Sequence, residues 1–114
     1  MDTRQFLQRV LGGEGRYCTF AARKTDESLR QDFHTSIDEV IARANELDEA
    51  GYDTFFALAT FGPENKRTVE NAIELRSFFL DIDCGPGKPY ATQMEGIEAL
   101  QKFCKQLSLP KPQL

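Results

Sequence analysis

ELRSFFLDID, residues 74–83, is the stretch on which the fold of this chain turns. At the period of two that a β-strand imposes, Leu75, Ser77, Phe79, Asp81 and Asp83 share one face, and Arg76, Phe78, Leu80 and Ile82 the other. The segment is therefore expected to be a strand that ends at the glycine- and proline-rich CGPGKP of residues 84–89. Upstream, DTFFALATF of residues 53–61 is an apolar run of strand length between turn-prone residues, and predicts a second, buried strand. No helical pattern separates the two, so they are expected to pair antiparallel, with PENKRTVENA of residues 63–72 as a polar loop between them.

The flanking segments supply helices and one more strand. Asp2 with Gln5 has the spacing of a helix N-cap, and Phe6, Leu7, Val10 and Leu11 then fall on one face before Gly12 and Gly13. RYCTFAAR of residues 16–23 leans to strand, and the polar run 23–35 reads as loop. Ser36 with Glu39 repeats the capping pattern, and Ile37, Val40, Ile41, Ala44 and Leu47 recur at helical spacing until Gly51. Thr92 with Glu95 opens a last helix whose apolar stripe is Ile97, Leu100, Cys104 and Leu107. The expected order is helix, strand, helix, strand, strand, helix: an α/β (α+β) chain with a small, partly antiparallel sheet and packed helices.

At 114 residues the chain has the length of one domain with a single modest core. A net charge of −4 gives no global positive field, so any hold on nucleic acid must be local. Three cysteines, Cys18, Cys84 and Cys104, without CxxC spacing argue against a disulfide framework and a structural zinc site. Neither a secretion signal nor a membrane span is legible, which points to a cytoplasmic protein.

LDIDCG at residues 80–85 carries the chemistry. An extended backbone sets the Cα atoms of Asp81 and Asp83 roughly 7 Å apart on one face. Two acids held close repel unless a cation lies between them, and hard cations such as Mg²⁺ or Mn²⁺ take carboxylate oxygens while keeping positions for water and phosphate. The bland alternative is a strand end whose aspartates are solvated and begin the turn toward Gly85. Lys66, Arg67 and Arg76 precede the pair and Lys88 follows it; each could meet a phosphate, and each could equally be a solvated cation. Cys84 is too soft a ligand for magnesium and reads as a small packed residue. Phe55, Phe56, Phe61, Phe78 and Phe79 are expected in the core, and Glu46, Asp48 and Glu49 on the wet face of their helix.

From about Tyr17 to Pro112 the chain resembles the opening of the phage and plasmid primase-polymerases of the archaeo-eukaryotic primase superfamily. FFLDIDCGPGKPY, EGIEALQKFCKQL and LPKP stand in the order and at the spacing of that family's first catalytic motif, its lysine-containing turn, the following helix and a Leu-Pro-x-Pro segment. The resemblance implies the N-terminal half of a primase catalytic core, completed by an RRM-like sheet. It makes Asp81 and Asp83 catalytic metal ligands for Mg²⁺ or Mn²⁺, and gives Lys88, Arg67 and Arg76 roles toward nucleotide or template. It further implies DNA replication in phages or mobile elements, with single-stranded DNA template and nucleoside triphosphates as partners, and a replicative helicase as an open third.

Two family motifs, a Ser-x-His that contacts phosphate and a later acidic metal ligand, do not occur in these 114 residues, and His34 does not match the former. The chain is accordingly expected to be the N-terminal portion of a larger nucleotidyltransferase domain, inactive by itself, in the host cytoplasm if phage-encoded. Two rivals remain: a shortened, non-catalytic relative that binds nucleic acid or a replication protein, and an unrelated metal-dependent nuclease.

Overall fold

The computed structural model describes residues 1–77 and 79–111. The chain is α+β and divides into two compact units, Met1–Phe78 and Phe79–Leu114. Among the described residues no helix is long and apolar enough to cross a membrane.

In the first unit α1 (Thr3–Val10), β1 (Tyr17–Arg23), β2 (Leu29–His34), α2 (Ile37–Glu49), β3 (Tyr52–Phe56), β4 (Ala59–Phe61) and β5 (Ala72–Leu75) follow one another. A 3₁₀ turn at Val69–Asn71 lies just ahead of β5. Asp2 caps α1 in a full capping box with Gln5. Ser36 caps α2 by accepting from the Glu39 amide at 3.2 Å, while the Glu39 carboxylate reaches the Thr35 amide at 2.8 Å rather than that of the cap residue itself. α2 ends at Gly51, whose φ of 86° is a left-handed turn that costs glycine little.

β1 is the middle of an antiparallel sheet ordered β2-β1-β3. One face is closed by both helices. Leu7, Leu11 and Val40 form one buried cluster, with Phe56 and Tyr17 packed against it, and Ala21, Leu47 and Tyr52 form another. The opposite, open face carries Cys18, Phe20 and Ala22 of β1 beside Phe33, Gln31 and Leu29 of β2 and Phe55 and Asp53 of β3, as the registers Cys18↔Phe33 and Phe20↔Phe55 require.

Three sequence expectations are corrected here. The polar run 23–35 holds a strand, β2, because LRQDFH needs only one neighbour at the sheet edge and its polar side chains find partners. Asp32 accepts from Arg43 Nε at 2.9 Å, and the His34 ring meets Thr19 Oγ1 at 2.9 Å. The turn into it is shaped by Asp26, which accepts from both the amide and the hydroxyl of Ser28.

DTFFALATF is two strands. β3 pairs with β1 through Thr19↔Phe56, and after Ala57 and Leu58 the chain enters β4, whose Phe61 forms an isolated bridge with Arg16, just ahead of β1, through reciprocal 2.8 Å bonds. ELRSFFLDID is a strand only to Leu75. β4 offers three residues of edge, enough to pair Ala59↔Leu75 and Phe61↔Ala72, and among the described residues past Leu75 the β4–β5 ladder does not continue.

The second unit contains α3 (Gln93–Gln106), capped by Thr92, with Glu95 accepting from the Ala91 amide at 2.9 Å. Cys104 and Gly96 are its buried residues, whereas Leu107 of the expected stripe is 57% exposed. The expected strand position of Phe78 and the Pro112 end of LPKP lie outside the described residues. Phe61 is buried and Phe56 partly so, but Phe55 and Phe79 are 57% and 69% exposed and so are not core residues.

Candidate functional site

Arg76 and Ser77 leave β5 by bonding to the end of α1. Arg76 Nη1 donates to Gln8 O at 3.1 Å and Ser77 Oγ to Val10 O at 2.7 Å. The last carbonyls of a helix lack partners of their own and carry its negative dipole end, so a guanidinium there is favourable. Arg76, expected to meet nucleotide or template, is engaged in holding this segment.

Asp81, Ile82, Asp83 and Cys84 keep the alternation of an extended chain without a sheet to impose it. Ile82 and Cys84 are partly covered, and Asp81 and Asp83 are exposed. What takes the place of a neighbouring strand is α3. A methyl group at Gly96 would stand 2.7 Å from Cys84 Sγ and 3.1 Å from Ile82 Cγ2. Only a glycine lets this helix lie so close to the segment. Ile82 and Cys84 therefore pack on α3, while Leu80, Asp81 and Asp83 reach solvent.

Neither aspartate makes a hydrogen bond or ion pair among the described residues. Just beyond them, Cys84 and Tyr90 form a parallel bridge, the Gly85 amide donates to Tyr90 O at 2.8 Å and the Lys88 amide to Gly85 O at 3.1 Å. This closes a turn that has Gly85 at φ 128° and Gly87 at φ 74°, and it carries Lys88 exposed on the same short segment as the acids. The pair thus stands on a segment packed against a helix, and not on the rigid sheet strand expected from the sequence.

Hard, exposed carboxylates without protein partners suit Mg²⁺ or Mn²⁺, with water or phosphate completing the shell. Among the described residues no group of three or more His, Cys, Asp or Glu side chains gathers into a ligand set. Two ligands are what the segment offers.

Arg67 belongs to the first unit, where its guanidinium lies 4.6 Å over the Phe20 ring. Sequence spacing gave no sign of that contact, because Arg67 and Phe20 meet through the loop between β4 and β5. Arg16 went unnoticed for the same reason. Its guanidinium donates to Gly62 O, Glu64 O and Asn65 Oδ1, and Asn71 Nδ2 donates to Glu64 O and Lys66 O, so two side chains shape that loop from within. Cys18, Cys84 and Cys104 are all free.

No protein-family model, curated protein or solved structure matches the chain.

Proposed function

We propose that this chain is part of a DNA primase-polymerase, contributing the first metal-binding pair of a nucleotidyl-transfer centre through Asp81 and Asp83. The observation that carries the proposal is the arrangement of LDIDCG: Ile82 and Cys84 pack against Gly96, two acids without a partner among the described residues are exposed on the same segment, and a glycine turn follows with Lys88. The likeness of FFLDIDCGPGKPY to the primase motif gives that arrangement its chemical meaning.

A divalent ion held there would supply charge stabilisation for a triphosphate, as metal ions do in phosphoryl transfer. Asp81 and Asp83 would be its ligands. Lys88 would stand as a point charge for phosphate. Positioning and electrostatics, rather than a covalent intermediate, would do the catalytic work.

The two-acid set leaves the centre incomplete without the Ser-x-His and third acid of the family pattern, so these 114 residues are expected to make no primers unaided. Calorimetry with a nucleoside triphosphate tests the proposal: binding that requires Mg²⁺, disappears in Asp81→Asn and weakens in Lys88→Ala is expected. Triphosphate binding that is indifferent to metal and to both substitutions would refute it. The small ligand set also favours, as a second reading, a non-catalytic relative that binds nucleic acid or a replication protein. Metal-independent primer binding with no triphosphate affinity would select that reading.

A further inference from the structure

The open face of the β2-β1-β3 sheet combines aromatic rings with guanidinium groups. Phe55 projects from β3 at 57% exposure and is the cross-strand neighbour of Phe20, over which the Arg67 guanidinium lies at 4.6 Å. Arg16 covers Phe33 on the same face, 4.8 Å from the ring. Gln31 and Leu29 continue the surface along β2, both exposed.

Among the described residues, the carboxylates that form ion pairs pair elsewhere, with Arg4, Arg23, Lys24 and Arg43. None pairs with Arg16, Lys66 or Arg67. At the Cys18 thiol, burial raises the pKa, the charge of Arg67 acts to lower it, that of Asp32 to raise it and that of Arg16 to lower it. A chain of net charge −4 thus carries on one face the exposed Phe55 ring and the guanidinium groups of Arg16 and Arg67, which form no ion pair among the described residues, while Asp53 of that face pairs with Lys24.

We infer that this face binds single-stranded nucleic acid, with one base stacked on Phe55, a second against the Phe20–Arg67 pair, and the intervening phosphate met by Arg67. Flat rings on a sheet suit bases without regard to their identity, and exposed cations at the edge supply the backbone contacts. A duplex hides the base faces that such a platform uses. An acidic peptide would satisfy the cations but would gain little from a bare phenyl ring. The surface lies wholly within the first unit and does not depend on the aspartate pair.

Fluorescence anisotropy with labelled oligo-dT and oligo-U of roughly 12 nucleotides, in EDTA so that no metal-bridged contact contributes, tests the inference. Both single strands should bind more tightly than a duplex of the same length, and a preference between them tells DNA from RNA. Phe55→Ala should weaken binding about ten-fold, as loss of one stacked base does, and Phe55→Tyr should restore it. Arg67→Ala should weaken binding and lower the salt dependence by about one phosphate contact. Met94→Ala in the second unit should change nothing. Equal affinity for duplex and single strand, indifference to both Phe55→Ala and Arg67→Ala, or absence of binding at low salt would overturn the inference. An acidic peptide that displaces the oligonucleotide from wild type and from Phe55→Ala alike would transfer the face to a protein partner. Because metal is absent throughout, failure here leaves the Asp81 and Asp83 proposal standing, and the converse also holds.

Discussion

His34 shows how much a single side chain in an edge strand can hold. It is 8% exposed and its ring meets Thr19 Oγ1, on the helix-facing side of the sheet. Burial pushes its pKa below the usual 6.5, against the pull of nearby Asp32 and Glu39. The unfolded chain therefore binds a proton more readily than the folded one, and stability must fall as pH drops below about 6.5 toward the folded value. Urea midpoints measured from pH 7.5 to 5 should decline over that window, and His34→Gln should flatten the decline there. A second decline comes at lower pH. Glu39 is held below its ordinary pKa chiefly by the Thr35 amide, and Asp26 by Ser28, so each contributes stability that is lost as pH falls below the usual carboxylate range.

Gly96 is the other residue on which much rests. Alanine there would gain about 1 kcal/mol of helix propensity but would drive a methyl group against Cys84 and Ile82, and overpacking of that kind costs roughly 1–3 kcal/mol. A net loss of stability in Gly96→Ala, relieved in the double variant Gly96→Ala with Cys84→Ala, is the expected result in chemical denaturation.

At the scale of elements, what was legible in the sequence followed local physics. Asp2, Ser36 and Thr92 announce their helices because a cap needs only its own first turn, and RYCTFAAR announces β1 because its neighbours on both sides are consistent with its apolar pattern. β2 was not legible, since LRQDFH sets Arg30, Asp32 and His34 on one face against only Leu29 and Phe33 on the other, and becomes a strand through its pairing with β1. The end of β5 was not legible for the opposite reason. The apolar sequence after Leu75 has the local properties of a strand, but β4 is three residues long and its ladder with β5 reaches only to Ala59↔Leu75.

The candidate site divides along the same line. The two aspartates and Lys88 can be found from LDIDCG and its turn, whereas the closeness of α3 at Gly96, the engagement of Arg76 with α1 and the stacking of Arg67 on Phe20 depend on contacts between distant segments. The loop between β4 and β5 offers a test at this scale. Arg16→Ala removes charged hydrogen bonds to Gly62, Glu64 and Asn65, and should cost about 2–3 kcal/mol and hasten proteolysis between residues 62 and 71. Undiminished stability would show that the loop is held by Asn71 alone.

For the whole molecule, the two units present different chemistries on separate segments. The first carries cations and rings on a sheet face, and the second carries two exposed acids on a segment packed against α3. On the functions proposed above, the first would hold a single strand and the second a divalent ion.

The reading rests on a divalent ion joining Asp81 to Asp83, and titration of Mn²⁺ followed by its electron paramagnetic resonance signal examines that directly. The wild-type chain should remove one equivalent of free Mn²⁺ signal, and Asp81→Ala and Asp83→Ala should each abolish that uptake while leaving circular dichroism unchanged. Equal weak uptake by all three proteins would contradict the account.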